Sequence, residues 1–120
     1  MLSNFIKMYD MPHSDFFVSV FQVVQLIPSG RVTTYGAIAS YLGAKKSSRV
    51  VGYAMNASHK IPGIPAHRVL NRLGYLTGKM HFTSPDEMER LLFQEGIIVK
   101  DDCVVNFKHL FWDPSIELEL

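Results

Sequence analysis

The chain has 120 residues, 48% of them hydrophobic, which is enough for one ordinary core but not for a second domain of typical size. We therefore expect a single domain over residues 1–120. Its one cysteine, Cys103, excludes an internal disulfide and a cysteine-based metal cluster, and no metal or cofactor is expected. No apolar run reaches the length of a membrane span, and residues 1–13 lack the pattern of a secretory signal. These observations predict a cytoplasmic protein without a membrane partner.

The charges are distributed unevenly, although the formal net charge is only +1. Between Phe16 and Pro85 there is no Asp or Glu, whereas acidic residues occur on both sides of that segment. The basic residues within it are Arg31, Lys45, Lys46, Arg49, Lys60, Arg68, Arg72 and Lys79. This pattern predicts a positive field over one part of the fold and favours nucleic acid as the partner. Charge alone leaves open the alternative that these are scattered solubility charges.

The first half of the chain begins with two predicted helices. Apolar residues at helical spacing predict a helix that starts at Ser14 and runs through Val24, until the pattern stops at Pro28-Ser29-Gly30. Either Thr33 or Thr34 can cap a second, short helix that ends at Gly43.

A third helix follows closely, and Ser47 is its predicted N-cap. Its buried stripe is expected to consist of Val50, Val51, Ala54 and Met55. Arg49 is then exposed in the first turn. Two short helices around a tight turn are typical of a helix-turn-helix.

The second half of the chain combines rigid loops with one helix and a hairpin. Two prolines and a glycine between His59 and Pro65 predict a rigid loop, and Asn71 to Gly78 resembles a turn. Ser84-Pro85-Asp86-Glu87 has the pattern of a capping box and predicts a helix that ends at Gly96. Two apolar stretches around Lys100-Asp101-Asp102 predict a small hairpin or wing.

Four segments, in order, resemble the carboxy-terminal DNA-binding domain of the O6-alkylguanine-DNA alkyltransferases. They are 30–39, 48–55, 64–69 and 91–96, and the resemblance covers about residues 15 to 97. Each segment alone is a weak signal, but all four in register in so short a chain are specific. The resemblance implies a mostly α fold with a small β element, namely a winged helix-turn-helix DNA-binding domain of the alkyltransferase type.

The third segment departs from the family at one decisive position. In the enzymes it reads Pro-Cys-His-Arg, and the cysteine accepts the alkyl group, whereas this chain has Ala66. A methyl group has no lone pair to attack carbon, so transfer through this position is excluded. Cys103 lies outside the motif, where a half-buried structural role is expected.

Loss of the acceptor with retention of the other motifs is similar to the alkyltransferase-like proteins, which are not enzymes. This resemblance implies a monomer that binds O6-alkylguanine in double-stranded DNA by nucleotide flipping. It also implies that the lesion is passed to nucleotide excision repair proteins.

The resemblance assigns two residues to DNA contact, and three neighbours of Arg49 are expected to bind DNA as well. Arg49 matches the arginine that fills the gap left by an extruded nucleotide, and an ordinary phosphate contact is the alternative. Tyr35 matches a tyrosine near the 3′ phosphate of that nucleotide, and burial in the core is the alternative. Lys45 and Lys46 form a basic cluster with Arg49 and are expected to contact phosphates, and Ser48 is also assigned to DNA binding.

His67 and Glu95 match the acid–base pair that activates the cysteine in the enzymes. Because the nucleophile is missing, we expect a hydrogen-bonded pair that holds the loop onto the following helix. Ser58 replaces the asparagine that usually braces this region in the enzymes.

The wall of the lesion pocket is assigned to Ala66, Arg68, Leu76 and Lys79. The small side chain of Ala66 predicts room for a larger adduct. Bracing of the loop is the alternative for Arg68, and simple solvation is the alternative for Lys79.

Two other classes of function stay open at this point. One is a winged-helix transcription regulator that reads intact sequence, for which a preference for palindromes would speak. The other is an enzyme in which His67 and Glu95 activate water against a DNA base, for which product formation would speak.

Overall fold

The computed structural model describes residues 14–118 as a set of helices with two small sheets. The helices are α1 (Ser14–Val24), α2 (Tyr35–Tyr41), α3 (Ser48–Ser58), α4 (Glu87–Gln94), α5 (Phe107–Leu110) and α6 (Pro114–Glu117). Short 3-10 turns lie at Ala66–Arg68 and Lys79–His81. The predicted class, mostly α with a small β element, is confirmed. Residues 1–13, where the sequence predicts no secretory signal, lie outside the described residues.

Two pairs of very short strands tie distant parts of the chain together. β1 (Thr33–Thr34) pairs in parallel with β2 (Val69–Leu70), so the start of α2 lies beside the loop that carries Ala66. β3 (Val99–Lys100) pairs antiparallel with β4 (Cys103–Val104) and forms the expected hairpin.

The helix-turn-helix forms largely as its sequence predicts. Thr34 caps α2, and its hydroxyl oxygen accepts a 3.0 Å hydrogen bond from the N–H of Ala37. Gly43 follows α2 with a φ of +75°, the left-handed conformation that ends helices. Ser47 precedes α3, but its side chain makes no capping bond within residues 14–118. Its φ of −108° and ψ of 24° are not the extended conformation of a side-chain cap.

The larger of two core clusters joins the first three helices. Five of its buried side chains come from α1, the largest share of any helix, and α3 contributes Val51, Ala54 and Met55. Val50, expected in the same stripe, is only half-buried at its edge. Trp112, from the carboxy-terminal segment, also packs into this cluster. Its backbone N–H donates to the carbonyl of Val32 at 2.7 Å. The face of α3 that is opposite Val51, Ala54 and Met55 does not pack into this cluster and is exposed.

The start of α4 differs from the prediction. Ser84 is not the N-cap, because its hydroxyl donates to Asp86 at 2.8 Å, and the helix begins only at Glu87. The carboxylate of Glu87 accepts from the N–H and hydroxyl of Thr83 instead of closing a capping box with Ser84. The helix ends at Gln94, and Gly96, where its end is predicted, follows two residues later with a φ of +83°.

The hairpin fixes the loop that follows β2. Asp101 and Asp102 make its turn with φ values of 53° and 61°. The N–H of Leu76 donates to the carbonyl of Asp102 at 2.9 Å, and the N–H of Val104 donates to Gly74 at 2.9 Å. The thiol of Cys103 is half-buried in β4, as expected. No helix within residues 14–118 is long and apolar enough to cross a membrane.

Candidate nucleic-acid interface

An open cavity of 390 Å³ lies between α2, the exposed face of α3 and the loop near the second 3-10 turn. Its volume falls within the range of roughly 300 to 1,000 Å³ that is typical of small-ligand sites. The side chains that line it include Tyr35, Arg49, Tyr53, Asn56, Thr77 and His81. One aromatic group on each of the three elements therefore borders the same space.

Three of the residues assigned to DNA contact meet at this cavity. Tyr35, Ser48 and Arg49 all line it, and Arg49 is exposed with no ion pair among residues 14–118. Tyr35 is half-buried against the larger core cluster, so its two proposed roles are compatible. A Cβ built on Gly78 would lie 3.1 Å from the Tyr35 hydroxyl, which shows how closely the loop approaches α2.

The basic segment is less extensive at the surface than the sequence suggests. The guanidinium of Arg31 donates to the carbonyls of Leu110 at 3.0 Å and Phe111 at 2.7 Å, and Arg68 and Lys79 pair with acidic side chains. The basic residues of this segment that are exposed are Lys45, Lys46, Arg49, Lys60 and Arg72. Since three of these precede or begin α3, the positive charge is concentrated at one edge of the helix-turn-helix.

The loop that carries Ala66 is held by a network around Glu95. His67 Nε2 lies 2.6 Å from Glu95 Oε2, which confirms the expected pair. The guanidinium of Arg68 donates to the same carboxylate at 2.8 Å and to the carbonyl of Ile27 at 2.8 Å. The N–H of Gly30 donates to Glu95 Oε1 at 2.8 Å. One carboxylate thus joins the loop, α4 and the turn before β1.

These contacts set the charge state of Glu95, whose side chain is only 11% exposed. Burial disfavours the charged form, but hydrogen bonds from Arg68, the N–H of Gly30 and His67 outweigh it. Together they lower the pKa of Glu95 from 4.5 to about 2. Glu95 is therefore ionised at neutral pH.

The residues assigned to the pocket wall do not line this cavity. Leu76 is 3% exposed and belongs to the smaller core cluster, so its place in the lesion pocket stays a prediction. The guanidinium of Arg68 faces the Glu95 network, and Lys79 pairs with Asp102 at 2.7 Å. Ala66 is half-buried and packs at the edge of the larger cluster.

The cavity is also lined by four side chains that were not predicted from the sequence, namely Tyr53, Asn56, Thr77 and His81. A signal was available for two of them, because Tyr53 and Asn56 follow Arg49 by four and seven residues, the spacing of one helix face. The loop residues Thr77 and His81 had no such signal.

The helix-turn-helix, the small hairpin and the exposed basic edge define a winged helix-turn-helix DNA-binding domain. The family model described as "6-O-methylguanine DNA methyltransferase, DNA binding domain" matches residues 15–97. The chain belongs to this family, and within it to the alkyltransferase-like proteins.

Two similar proteins, and a solved structure of the first of them, illustrate the relationship. Alkyltransferase-like protein 1 of Schizosaccharomyces pombe is 31% identical over 108 residues, which are 87% of this chain and 100% of that protein. A DNA base-flipping protein of Escherichia coli is 32% identical over 96 residues, covering 78% and 71% of the two chains. The crystal structure of S. pombe Atl1 with damaged DNA containing O6-carboxymethylguanine has a TM-score of 0.71, with 33% identity over 87% of this chain and 100% of that one.

Proposed function

We propose that this protein binds O6-alkylguanine in double-stranded DNA by nucleotide flipping, without transferring the alkyl group. The observation that carries the proposal is the position of Arg49. It is exposed at the edge of a cavity that it shares with Tyr35, while the acceptor position of the motif is Ala66.

Nucleotide flipping needs a hold on the backbone, a group that fills the vacated space and a place for the base. Lys45 and Lys46 are exposed in the turn before α3 and supply contacts to phosphates. A planar guanidinium at Arg49 can stack on the neighbouring bases and offset part of the few kcal/mol that unstacking costs. The cavity beside Tyr35 receives the nucleotide.

Retention of the alkyl group on DNA follows from the chemistry of the motif. Ala66 offers no nucleophile, and the single thiol of the chain, Cys103, lies in the hairpin. The names of similar proteins, one alkyltransferase-like and one base-flipping, support the same function.

We test the proposal with matched duplexes that contain guanine or O6-methylguanine, titrated at one salt concentration because phosphate contacts make affinity salt-dependent. Arg49→Ala should lower the ratio of the two affinities roughly fivefold to 150-fold, as base-stacking substitutions of about 1 to 3 kcal/mol imply. The brightening of 2-aminopurine placed beside the lesion should fall with it.

Arg72→Ala is the matched control, because Arg72 is an exposed arginine outside this cavity. It should leave the affinity ratio unchanged. Equal affinity of the unaltered protein for both duplexes would refute lesion recognition. An unchanged ratio and unchanged brightening in Arg49→Ala would move the flipping role to another side chain, with Tyr35 the first to test.

A hydrolytic enzyme is the second candidate, and the 2.6 Å contact between His67 and Glu95 favours it. Glu95 is also engaged by Arg68 and by the N–H of Gly30, so its position has a structural explanation. Mass spectrometry of an O6-methylguanine strand after incubation separates the two. An altered mass would establish the enzyme, and an unaltered one leaves the pair structural.

Handover of the marked site to nucleotide excision repair proteins, by a monomer acting in the cytoplasm, belongs to the same proposal. Its test is incision of a lesion-bearing duplex by purified excision repair proteins. The incision rate should rise when this protein is added, and an unchanged rate would contradict the handover.

A further inference from the structure

The exposed face of α3 carries more than the arginine that fills the vacated space. Arg49, Gly52, Tyr53 and Asn56 recur at intervals of three and four residues, so they form one stripe along the helix. All four line the cavity, whereas Val51, Ala54 and Met55 face the core on the other side. A DNA duplex that contacts Arg49 therefore also contacts this stripe.

Within this stripe, Tyr53 is a large side chain that does not pack into the core of the described residues. It is 53% exposed and does not belong to either core cluster of residues 14–118, in contrast to Tyr35 on the facing helix. It follows Arg49 by one helical turn, which places the two Cα atoms about 6 Å apart along the axis. An aromatic face next to a groove-facing arginine suits stacking on bases, which every base permits.

Gly52 also indicates that this stripe contacts DNA. Glycine in the middle of a helix costs roughly 0.5 to 1 kcal/mol relative to alanine. A Cβ at this position would meet nothing within 4 Å, so packing inside the protein does not require glycine. The missing side chain instead lowers the surface between Arg49 and Tyr53, which lets a duplex approach the helix closely.

On this basis, and resting on the proposed flipping function, we propose that Tyr53 is a second wedge beside Arg49. Its ring packs against the base stack that borders the extruded nucleotide and opposes return of that nucleotide. Apolar and aromatic side chains act in this way in proteins that unstack base steps. Tyr53 is thus a positioning residue that favours the flipped state over the stacked one.

The experiment compares Tyr53→Ala and Tyr53→Phe with the unaltered protein on the guanine and O6-methylguanine duplexes. Tyr53→Ala should lower the affinity ratio roughly fivefold to tenfold, the lower part of the range for loss of base stacking, and should dim the 2-aminopurine signal. Tyr53→Phe keeps the ring and should retain both. Phe93→Ala, an exposed aromatic on α4 outside the cavity, is the matched control and should change neither.

Three outcomes would overturn the wedge. These are an unchanged ratio and signal in Tyr53→Ala, an equal loss of affinity for both duplexes, or a loss in Tyr53→Phe as large as in Tyr53→Ala. The equal loss would make Tyr53 a general groove contact, and the last would assign the effect to the hydroxyl. If the unaltered protein shows no lesion preference, the proposed function fails and the wedge fails with it. A normal Arg49→Ala effect with no Tyr53→Ala effect refutes the wedge alone.

Discussion

Replacing Glu95 with glutamine should destabilise the folded protein by about 3 kcal/mol at neutral pH, and the loss should shrink in acid. The substitution keeps the size of the side chain and one acceptor for the N–H of Gly30. It removes the negative charge that faces Arg68 and His67. The effect therefore measures the ionic part of the network.

The magnitude follows from the pKa of Glu95, which falls from 4.5 to about 2 on folding. Each tenfold change in proton affinity is worth about 1.4 kcal/mol, which gives about 3 kcal/mol in total. Because the folded pKa is the lower one, the unfolded chain binds the proton more tightly. The stabilisation is thus fully present above pH 4.5 and is lost as the pH falls towards 2.

Urea unfolding followed by circular dichroism between pH 7 and pH 3 provides the measurement. The difference between the two proteins should fall to about half of its neutral value by pH 3, with similar slopes against urea. Glu89→Gln, on the exposed side of α4, is the matched control and should follow the unaltered protein throughout. A Glu95→Gln curve that runs parallel to the unaltered one at every pH would refute the calculation.

Two further outcomes concern DNA. Reversal of Lys45 and Lys46 to Glu should weaken binding to damaged and undamaged duplexes alike, because phosphate contacts carry no lesion information; a titration that finds a loss only on the lesion duplex would contradict this. Incubation with an O6-methylguanine duplex labelled in the methyl group should leave all label on DNA, because Ala66 cannot accept it. Label on Cys103 or any other residue, detected after proteolysis, would disprove that expectation.

The helices could be predicted from the sequence where their signals are local. Thr34 caps α2, and Gly43 and Gly96 follow α2 and α4, because each effect depends on a few neighbouring residues. The predicted start of α4 was wrong, because another nearby side chain competes for the hydroxyl of the expected capping residue. Ser84 bonds the side chain of Asp86, a competing partner that the capping-box pattern does not reveal.

The site was predictable only in part, because side-chain direction depends on distant partners. Arg68 turns toward a carboxylate 27 residues away, and Lys79 turns toward Asp102, 23 residues away. Neither pairing can be read from spacing, so the sequence predicts neither partner, although the bonds of Arg68 fit the loop-bracing role expected as its alternative. Arg49 lies on a helix whose buried face is evident from its apolar period, and its exposure was therefore predicted correctly.

The Glu95 network also explains how this chain keeps its motif without a nucleophile. Glu95 holds the loop through His67 and Arg68, and Arg68 continues to the carbonyl of Ile27 behind α1. None of these hydrogen bonds uses the side chain at position 66. Alanine at this position therefore removes the nucleophile and leaves all of these hydrogen bonds in place. Loss of Arg68, in contrast, would take from the buried carboxylate of Glu95 its arginine partner, which is destabilising for a buried charge. The contribution of this network to the stability of the fold is therefore a sufficient reason to retain His67, Arg68 and Glu95 next to Ala66. The same network keeps the loop in place beside β1 and α2.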